Sequence, residues 1–128
     1  MGSISDTGQL WWALGYCGFM MLLAFIIKRY PPKKINPFYG YRTTRSMKNP
    51  KTWEAANKYA AQLMLQFCLY SFLIPAVTYL LIPGWNLLIT VVGNTILILL
   101  VIFYTEKYLS NHFDENGDLI QGDSPPNA

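Results

Sequence analysis

The sequence predicts an all-α integral membrane protein with three transmembrane helices and a structured cytoplasmic loop between helices 1 and 2. Two observations lead to this class. Uncharged apolar runs cover residues 10–27, 59–82 and 85–105, and a bilayer core of roughly 30 Å needs about 20 helical residues. Nine of the ten Lys and Arg residues lie between Lys28 and Lys58, in the polar connector of the first two runs.

The apolar runs favour membrane spans over the helices of a soluble bundle or a signal peptide. A soluble helix needs a recurrent polar stripe, whereas residues 87–104 interrupt their apolar sequence mainly with Thr90, Asn94 and Thr95. A cleavable signal peptide has its basic residues before the apolar stretch, and here they follow it. We therefore expect transmembrane helices at about residues 9–29, 57–82 and 85–107.

The positions of the charges also predict an orientation. Short loops rich in Lys and Arg remain in the cytoplasm, so the basic loop, residues 28–58, is expected inside and the N-terminus outside. The turn at residues 82–85 then faces outward, and the C-terminus is cytoplasmic. The chain divides into a three-helix membrane domain, residues 1–109, and a polar acidic tail, residues 110–128.

Within the connector, the local signals change from an extended segment to a helix start. Residues 30–37 contain three prolines and cannot form a helix interior. Asn49 followed by Pro50 is typical of a helix N-terminus, with Asn as the cap and Pro at the first helical position. Glu54 and Lys58, four residues apart, are expected to pair on the surface of that helix.

A patterned stretch, INPFYGYRTTRSMKNPKTWEAAN, follows the prolines. It resembles the signature of the SdpI/YfhL family, in which a cytoplasmic loop with a G-x-R-T motif and a later W-x-x-x-N motif joins the first two helices of a small membrane domain. With the flanking helices, the resemblance extends over most of residues 9–109. The matching positions are Asn36, Gly40, Tyr41, Arg42, Thr43, Ser46, Trp53 and Asn57.

The resemblance implies a multi-pass protein of the bacterial inner membrane, related to an immunity protein that protects a spore-forming bacterium from a secreted killing peptide. That immunity protein also transduces a signal by holding a small repressor at the membrane. It is larger and has further membrane helices, whereas this sequence contains the three-helix unit. The partners implied are membrane lipids and a toxin peptide or a small regulatory protein, with a homo-oligomer also possible.

The matching residues suggest two roles for the loop. Beside a flexible glycine, the Arg42 guanidinium could bind a phosphate or carboxylate in bidentate fashion. The other residues of this anion-binding pocket would be Thr43, Thr44, Ser46, Trp53 and Asn57. The structural alternative is that Arg42 reaches a lipid phosphate while Asn57 caps the loop and Trp53 anchors it at the membrane interface.

Three polar side chains inside the apolar runs form a second candidate set: Gln62, Gln66 and Asn94. They predict an interhelical hydrogen bond. A transport pathway is less favoured, because no ionisable Asp, Glu, Lys, Arg or His lies at membrane depth.

Other functional classes find less support. The chain offers no nucleophile with a base and no paired carboxylates, so we expect no catalytic residue, no cofactor and no metal site. The topology rule already explains the positions of the cations, so they do not indicate nucleic-acid binding. The alternatives to an immunity protein are a small oligomeric transporter or channel component and a lipid-interacting membrane protein.

Overall fold

The computed structural model describes residues 4–120, and the tail beyond them lies outside the described residues. The chain forms α1 (Asp6–Arg29), α2 (Pro50–Ser71), α3 (Leu73–Leu81), a 3-10 turn (Pro83–Trp85) and α4 (Asn86–His112). Within the described part there is no β-strand beyond an isolated bridge of Phe113 with Leu119. The predicted all-α class is therefore confirmed.

Three helical segments are long and apolar enough to cross a membrane. The first is α1, which has 24 residues. The second combines α2 and α3 and has 32 residues, and the third combines the 3-10 turn and α4 and has 30 residues. The expected spans 9–29 and 85–107 fall within the first and third of these segments. Most of the large side chains that face outward from the bundle are apolar, as a lipid environment requires.

The second span is interrupted near its middle, where the sequence had suggested one helix over residues 57–82. Pro75 has no backbone N–H, so the Ser71 carbonyl lacks its helical donor. The helix breaks at Phe72 and continues as α3. From α1, the buried Cys17 thiol donates to the Ser71 carbonyl oxygen at 3.7 Å, which gives that oxygen a partner on another helix.

Small and polar side chains fill the centre of the bundle, where α1, α2 and α4 all contact one another. Small residues let helix backbones approach closely in a membrane. The buried hydroxyls of Ser71, Thr78 and Thr105 donate to nearby backbone carbonyls of the helices, as Thr105 does to Val101 at 2.7 Å. Between helices, the fully buried Asn86 Nδ2 donates to the Pro75 carbonyl at 3.1 Å. The buried small side chains include Ala13, Cys17, Ala24, Ala56, Ala60 and Ala61.

A small hydrophobic cluster joins the start of α2 to the end of α4. Ala55 and Ala56 of α2 pack against Leu109 and Phe113, and Tyr41, Tyr108 and Leu119 cover them. The chain after His112 therefore does not leave the bundle at once. It folds back along α2, although its composition had indicated only a polar tail.

That return depends on a tight turn at Asn116 and Gly117. The Asp114 carboxylate accepts from the backbone N–H of Asn116 at 2.9 Å and of Asp118 at 3.0 Å. Gly117 adopts a φ of +84°, a conformation that favours glycine. Asn followed by Gly is a sequence typical of a tight turn, and the structure has one at these two residues.

Candidate functional site

The connector, residues 30–49, begins its folded part with a turn organised by Asn36. The Asn36 Oδ1 accepts from the backbone N–H of Phe38 at 3.0 Å and of Tyr39 at 2.7 Å. The Tyr39 hydroxyl then donates to the Tyr30 carbonyl at 2.7 Å. Asn36 is therefore used within the chain, as expected for a residue that builds an Asx-type turn.

Gly40 follows, close to the Asn57 side chain of α2. Its φ of +108° lies in the region that side chains rarely adopt. A Cβ at this position would lie 2.6 Å from the Asn57 Oδ1 and 2.6 Å from the Pro32 Cγ. Both the backbone conformation and the lack of space explain why the motif has glycine here.

Asn57 binds the connector to α2 through its side-chain amide. The Asn57 Oδ1 accepts from the Tyr41 backbone N–H at 2.7 Å, and its Nδ2 donates to the Trp53 carbonyl at 2.9 Å. One turn earlier, the Trp53 Nε1 donates to the Pro32 carbonyl at 2.9 Å. Because Trp53 is only 1% exposed, its side chain packs within the protein.

Ser46 and Thr43 close the next part of the connector. The Ser46 Oγ accepts from the Thr43 backbone N–H at 2.8 Å, and the Thr43 Oγ1 accepts from the Ser46 backbone N–H at 3.1 Å. The Thr52 hydroxyl of α2 donates to the Ser46 carbonyl at 3.0 Å. Asn49 and Thr52 form the reciprocal capping box at the start of α2, as the Asn-Pro pair predicted for Asn49 and Pro50.

The two arginines of the connector have different surroundings. Arg42 is exposed, and its guanidinium donates to the Pro37 carbonyl. Arg45 lies across from α4, with its Nε 3.3 Å from the Glu106 Oε2. The other Glu106 oxygen accepts from the Tyr41 hydroxyl at 2.7 Å. Burial and this carboxylate raise the pKa of the Tyr41 hydroxyl.

Arg45 and Glu106 were not predicted as site residues. Glu106 lies at the polar end of an apolar helix, and Arg45 lies three residues beyond the Arg42 of the motif. The membrane topology alone therefore explains the position of each charge. Their contact joins positions about 60 residues apart, and only the packed fold brings them together. The weak signal was Glu106 itself, a carboxylate close to an apolar span.

An open polar cleft of about 490 Å³ lies between the connector and the chain that follows α4. Lys48 donates from its Nζ to the Glu115 carbonyl, and the Asn49 Nδ2 donates to the Gly117 carbonyl at 2.7 Å. These two bonds hold the walls of the cleft together. Its lining combines hydroxyls with both signs of charge: Thr43, Thr44, Arg45, Lys48, Glu106, Asp114 and Glu115.

The structure separates the residues proposed for a single anion-binding pocket. Ser46, Trp53 and Asn57 are buried, and their polar groups bind other parts of the chain. Arg42 and Thr44 are exposed at the surface. The buried members of the motif thus hold the connector against α2, and the exposed Arg42 makes its hydrogen bond to the Pro37 carbonyl within the connector.

The intramembrane polar set is also divided. Gln62 and Gln66 are exposed on the outer face of α2, whereas Asn94 is buried in α4. The Asn94 Nδ2 donates to the Thr90 carbonyl at 2.8 Å and approaches the Cys17 Sγ of α1 at 3.8 Å. An interhelical contact therefore involves Asn94 and a cysteine, not the two glutamines.

Three membrane-capable helices and a connector fastened to them define a multi-pass helical membrane protein. Its family follows from comparison with known sequences: the chain belongs to the SdpI/YfhL protein family, whose sequence model matches residues 33–105. The matched region contains most of the connector, all of α2 and α3, and α4 as far as Thr105. This membership confirms the resemblance inferred from the motif.

One relative is the uncharacterized protein YfhL of Bacillus subtilis (strain 168), which is 50% identical over 48 residues. The match covers 38% of this chain and 44% of YfhL, so it spans less than half of that relative's length. No solved structure matches the chain.

Proposed function

We propose that this chain is an SdpI-type immunity protein, which gives its host resistance to a membrane-active toxin peptide. Membership of the family supports this proposal, together with the three membrane-capable helices. The distribution of Lys and Arg supports an orientation in which the connector and the chain after α4 face the cytoplasm of a bacterium. We call this the connector face, defined by residues 30–49 and 113–120.

A fixed connector with an exposed guanidinium is the observation that carries the proposal. The buried motif residues hold the backbone from Pro32 to Ser46 against α2, so little ordering is needed when a partner binds. A preorganised surface loses less conformational entropy on association. Arg42 adjoins Thr43, the first residue of the polar cleft, and can offer a bidentate contact to a carboxylate.

The cleft suits a partner that carries both kinds of charge. Arg45 and Lys48 line it together with Asp114 and Glu115. Complementary charges across an interface favour the correct partner and accelerate its association. The same face could bind a small regulatory protein, which would couple toxin recognition to a signal inside the cell.

Protection of living cells tests the proposal. The protein would be expressed in a sensitive bacterium without its own immunity gene, and the cells would be challenged with the killing peptide of the family's founding immunity system. We expect survival with the wild-type chain and at least a tenfold loss of survival with Arg42→Ala. The control is Lys51→Ala, which removes an exposed cation from the first turn of α2 outside the cleft.

The amount of protein in the membrane must be equal for all variants by immunoblot. Cells with an empty vector must die under the same challenge, and death of cells with the wild-type protein would contradict immunity against this peptide. Full protection by Arg42→Ala would contradict the role of the exposed guanidinium.

A further inference from the structure

A second surface lies on the flank where α1 ends and α2 begins. It is a crevice of about 270 Å³ lined by Lys28, Pro31, Asn57, Lys58, Ala61 and Gln62. The cleft on the connector face shares none of these residues. Neither the family motif nor the proposed immunity function uses Lys28, Lys58 or Gln62.

The cations of this crevice lie at the ends of the apolar spans. Lys28 comes directly after the apolar run of α1, and Lys58 comes directly before the run that starts at Tyr59. In a membrane, both ammonium groups would therefore lie at the level of the phospholipid headgroups, where Lys side chains meet anionic lipid. Two cations from two different helices converge there on one crevice.

Gln62 adds a polar group below this level. It is one helical turn beyond Lys58, about 6 Å further toward the apolar region at the usual rise of an α-helix. Its side chain is exposed, although an amide in contact with hydrocarbon is unfavourable unless it finds a hydrogen-bond partner. The oxygens between the phosphate and the acyl chains of a phospholipid lie at this depth and would accept from it.

The walls of the crevice are fixed before any ligand arrives. Pro31 has a restricted backbone, and the adjacent Pro32 carbonyl accepts from Trp53 at 2.9 Å. Asn57 uses its amide for Tyr41 and Trp53.

Lys58 Nζ lies 3.2 Å from the Glu54 Oε1, but both side chains are largely exposed. Such surface pairs contribute little, so Lys58 can turn to a phosphate.

We propose that this crevice binds the headgroup of an anionic phospholipid, with Lys28 and Lys58 on the phosphate and Gln62 on the oxygens below it. A lipid is favoured over a free phosphate ion because Phe25 and Ile26, exposed apolar residues of α1 that shortly precede Lys28, can contact the acyl chains. A singly charged phosphodiester, as in phosphatidylglycerol, fits two lysines of which one also faces Glu54.

Lipid retention by the purified full-length protein tests this assignment. The protein would be reconstituted in phosphatidylcholine vesicles with increasing phosphatidylglycerol, re-extracted in a neutral detergent and measured by native mass spectrometry. We expect the wild type to retain phosphatidylglycerol preferentially, and the Lys28→Ala/Lys58→Ala variant to retain at least fivefold less. The control, Lys51→Ala/Lys107→Ala, removes the same charge from exposed positions outside the crevice and should retain the wild-type amount.

Further measurements keep the test decisive. Gln62→Leu should reduce retention while preserving all charges, and Lys28→Arg/Lys58→Arg should restore it, which separates binding from a folding defect. Inorganic phosphate should not displace the lipid at millimolar concentration. Equal loss in both double-Ala variants, no preference of the wild type, or displacement by phosphate would overturn the proposal.

Discussion

The Asn57 side chain accepts a hydrogen bond from the Tyr41 backbone N–H at 2.7 Å, so a residue of α2 fixes the connector sixteen positions earlier. Tyr41 in turn reaches α4 through its hydroxyl, which donates to Glu106 at 2.7 Å. The connector is thereby bound to two helices at one point. This contact explains why the family motif contains residues that a binding site alone would not need.

Removal of the Asn57 amide should destabilise the fold. In Asn57→Ala, the Tyr41 N–H loses its acceptor, the oxygen of a buried side chain, while the Trp53 carbonyl keeps its helical donor, the backbone N–H of residue 57. An unsatisfied buried group costs about 1–3 kcal/mol. We expect a clearly lower midpoint of thermal unfolding in detergent. Asn111→Ala, at an exposed position of α4, is the matched control, and equal midpoints for the two variants would contradict the assigned role.

Gly40→Ala should be harmful for two reasons. The φ of +108° is strained for a side chain, and the new Cβ would lie 2.6 Å from the Asn57 Oδ1. We expect a loss of about 1–3 kcal/mol in the free energy of unfolding. Gly15→Ala adds the same methyl group to α1 where nothing lies within 4 Å. A thermal unfolding midpoint for Gly40→Ala at or above that of Gly15→Ala would refute this explanation.

Alkaline pH should weaken the contact between the connector and α4. Burial and Glu106 raise the pKa of Tyr41, so the folded protein holds this proton more tightly than the unfolded chain does. Its contribution to stability is complete below the ordinary tyrosine pKa of about 10 and declines as the pH rises above that value. Unfolding midpoints at pH 8 to 11 should therefore fall more steeply for the wild type than for Tyr41→Phe. Parallel curves would contradict this linkage.

Both thiols should resist modification in the folded protein. Cys17 is fully buried and Cys68 is 5% exposed. We expect a maleimide reagent to leave both unmodified in mild detergent and to modify both after denaturation, as measured by intact mass. Ser110→Cys places a thiol at an exposed position of α4 and should react at once. Rapid modification of Cys17 would contradict the packing of α1 against the break after α2.

The sequence predicted features that depend on neighbouring residues. The apolar runs and the basic connector identified the three spans, and Asn49 with Pro50 identified the start of α2. The Glu54–Lys58 pair, one turn apart, is also present at 3.2 Å. Each of these signals lies within a few residues of the structure that it specifies, so no knowledge of the fold is required.

Features that join distant parts of the chain were not predicted. Pro75 does signal an interruption of the second span, but the partner of the freed Ser71 carbonyl is Cys17 on another helix. Phe113 and Leu119 are apolar residues in an otherwise polar stretch, and their position against Ala55 depends on the path of the chain after α4. The motif itself predicted a site, whereas most of its polar groups serve the contact of the connector with α2.

Accessibility of the connector face in intact cells tests the central claim most directly, because the proposed partner binds from the cytoplasm. Single-cysteine variants at Thr44, exposed in the connector, and at Gly84, exposed at the opposite end of the bundle, would be treated with a membrane-impermeant maleimide. The proposal predicts that Gly84→Cys reacts in intact cells and that Thr44→Cys reacts only after permeabilisation. Modification of Thr44→Cys from outside, with Gly84→Cys protected, would contradict it.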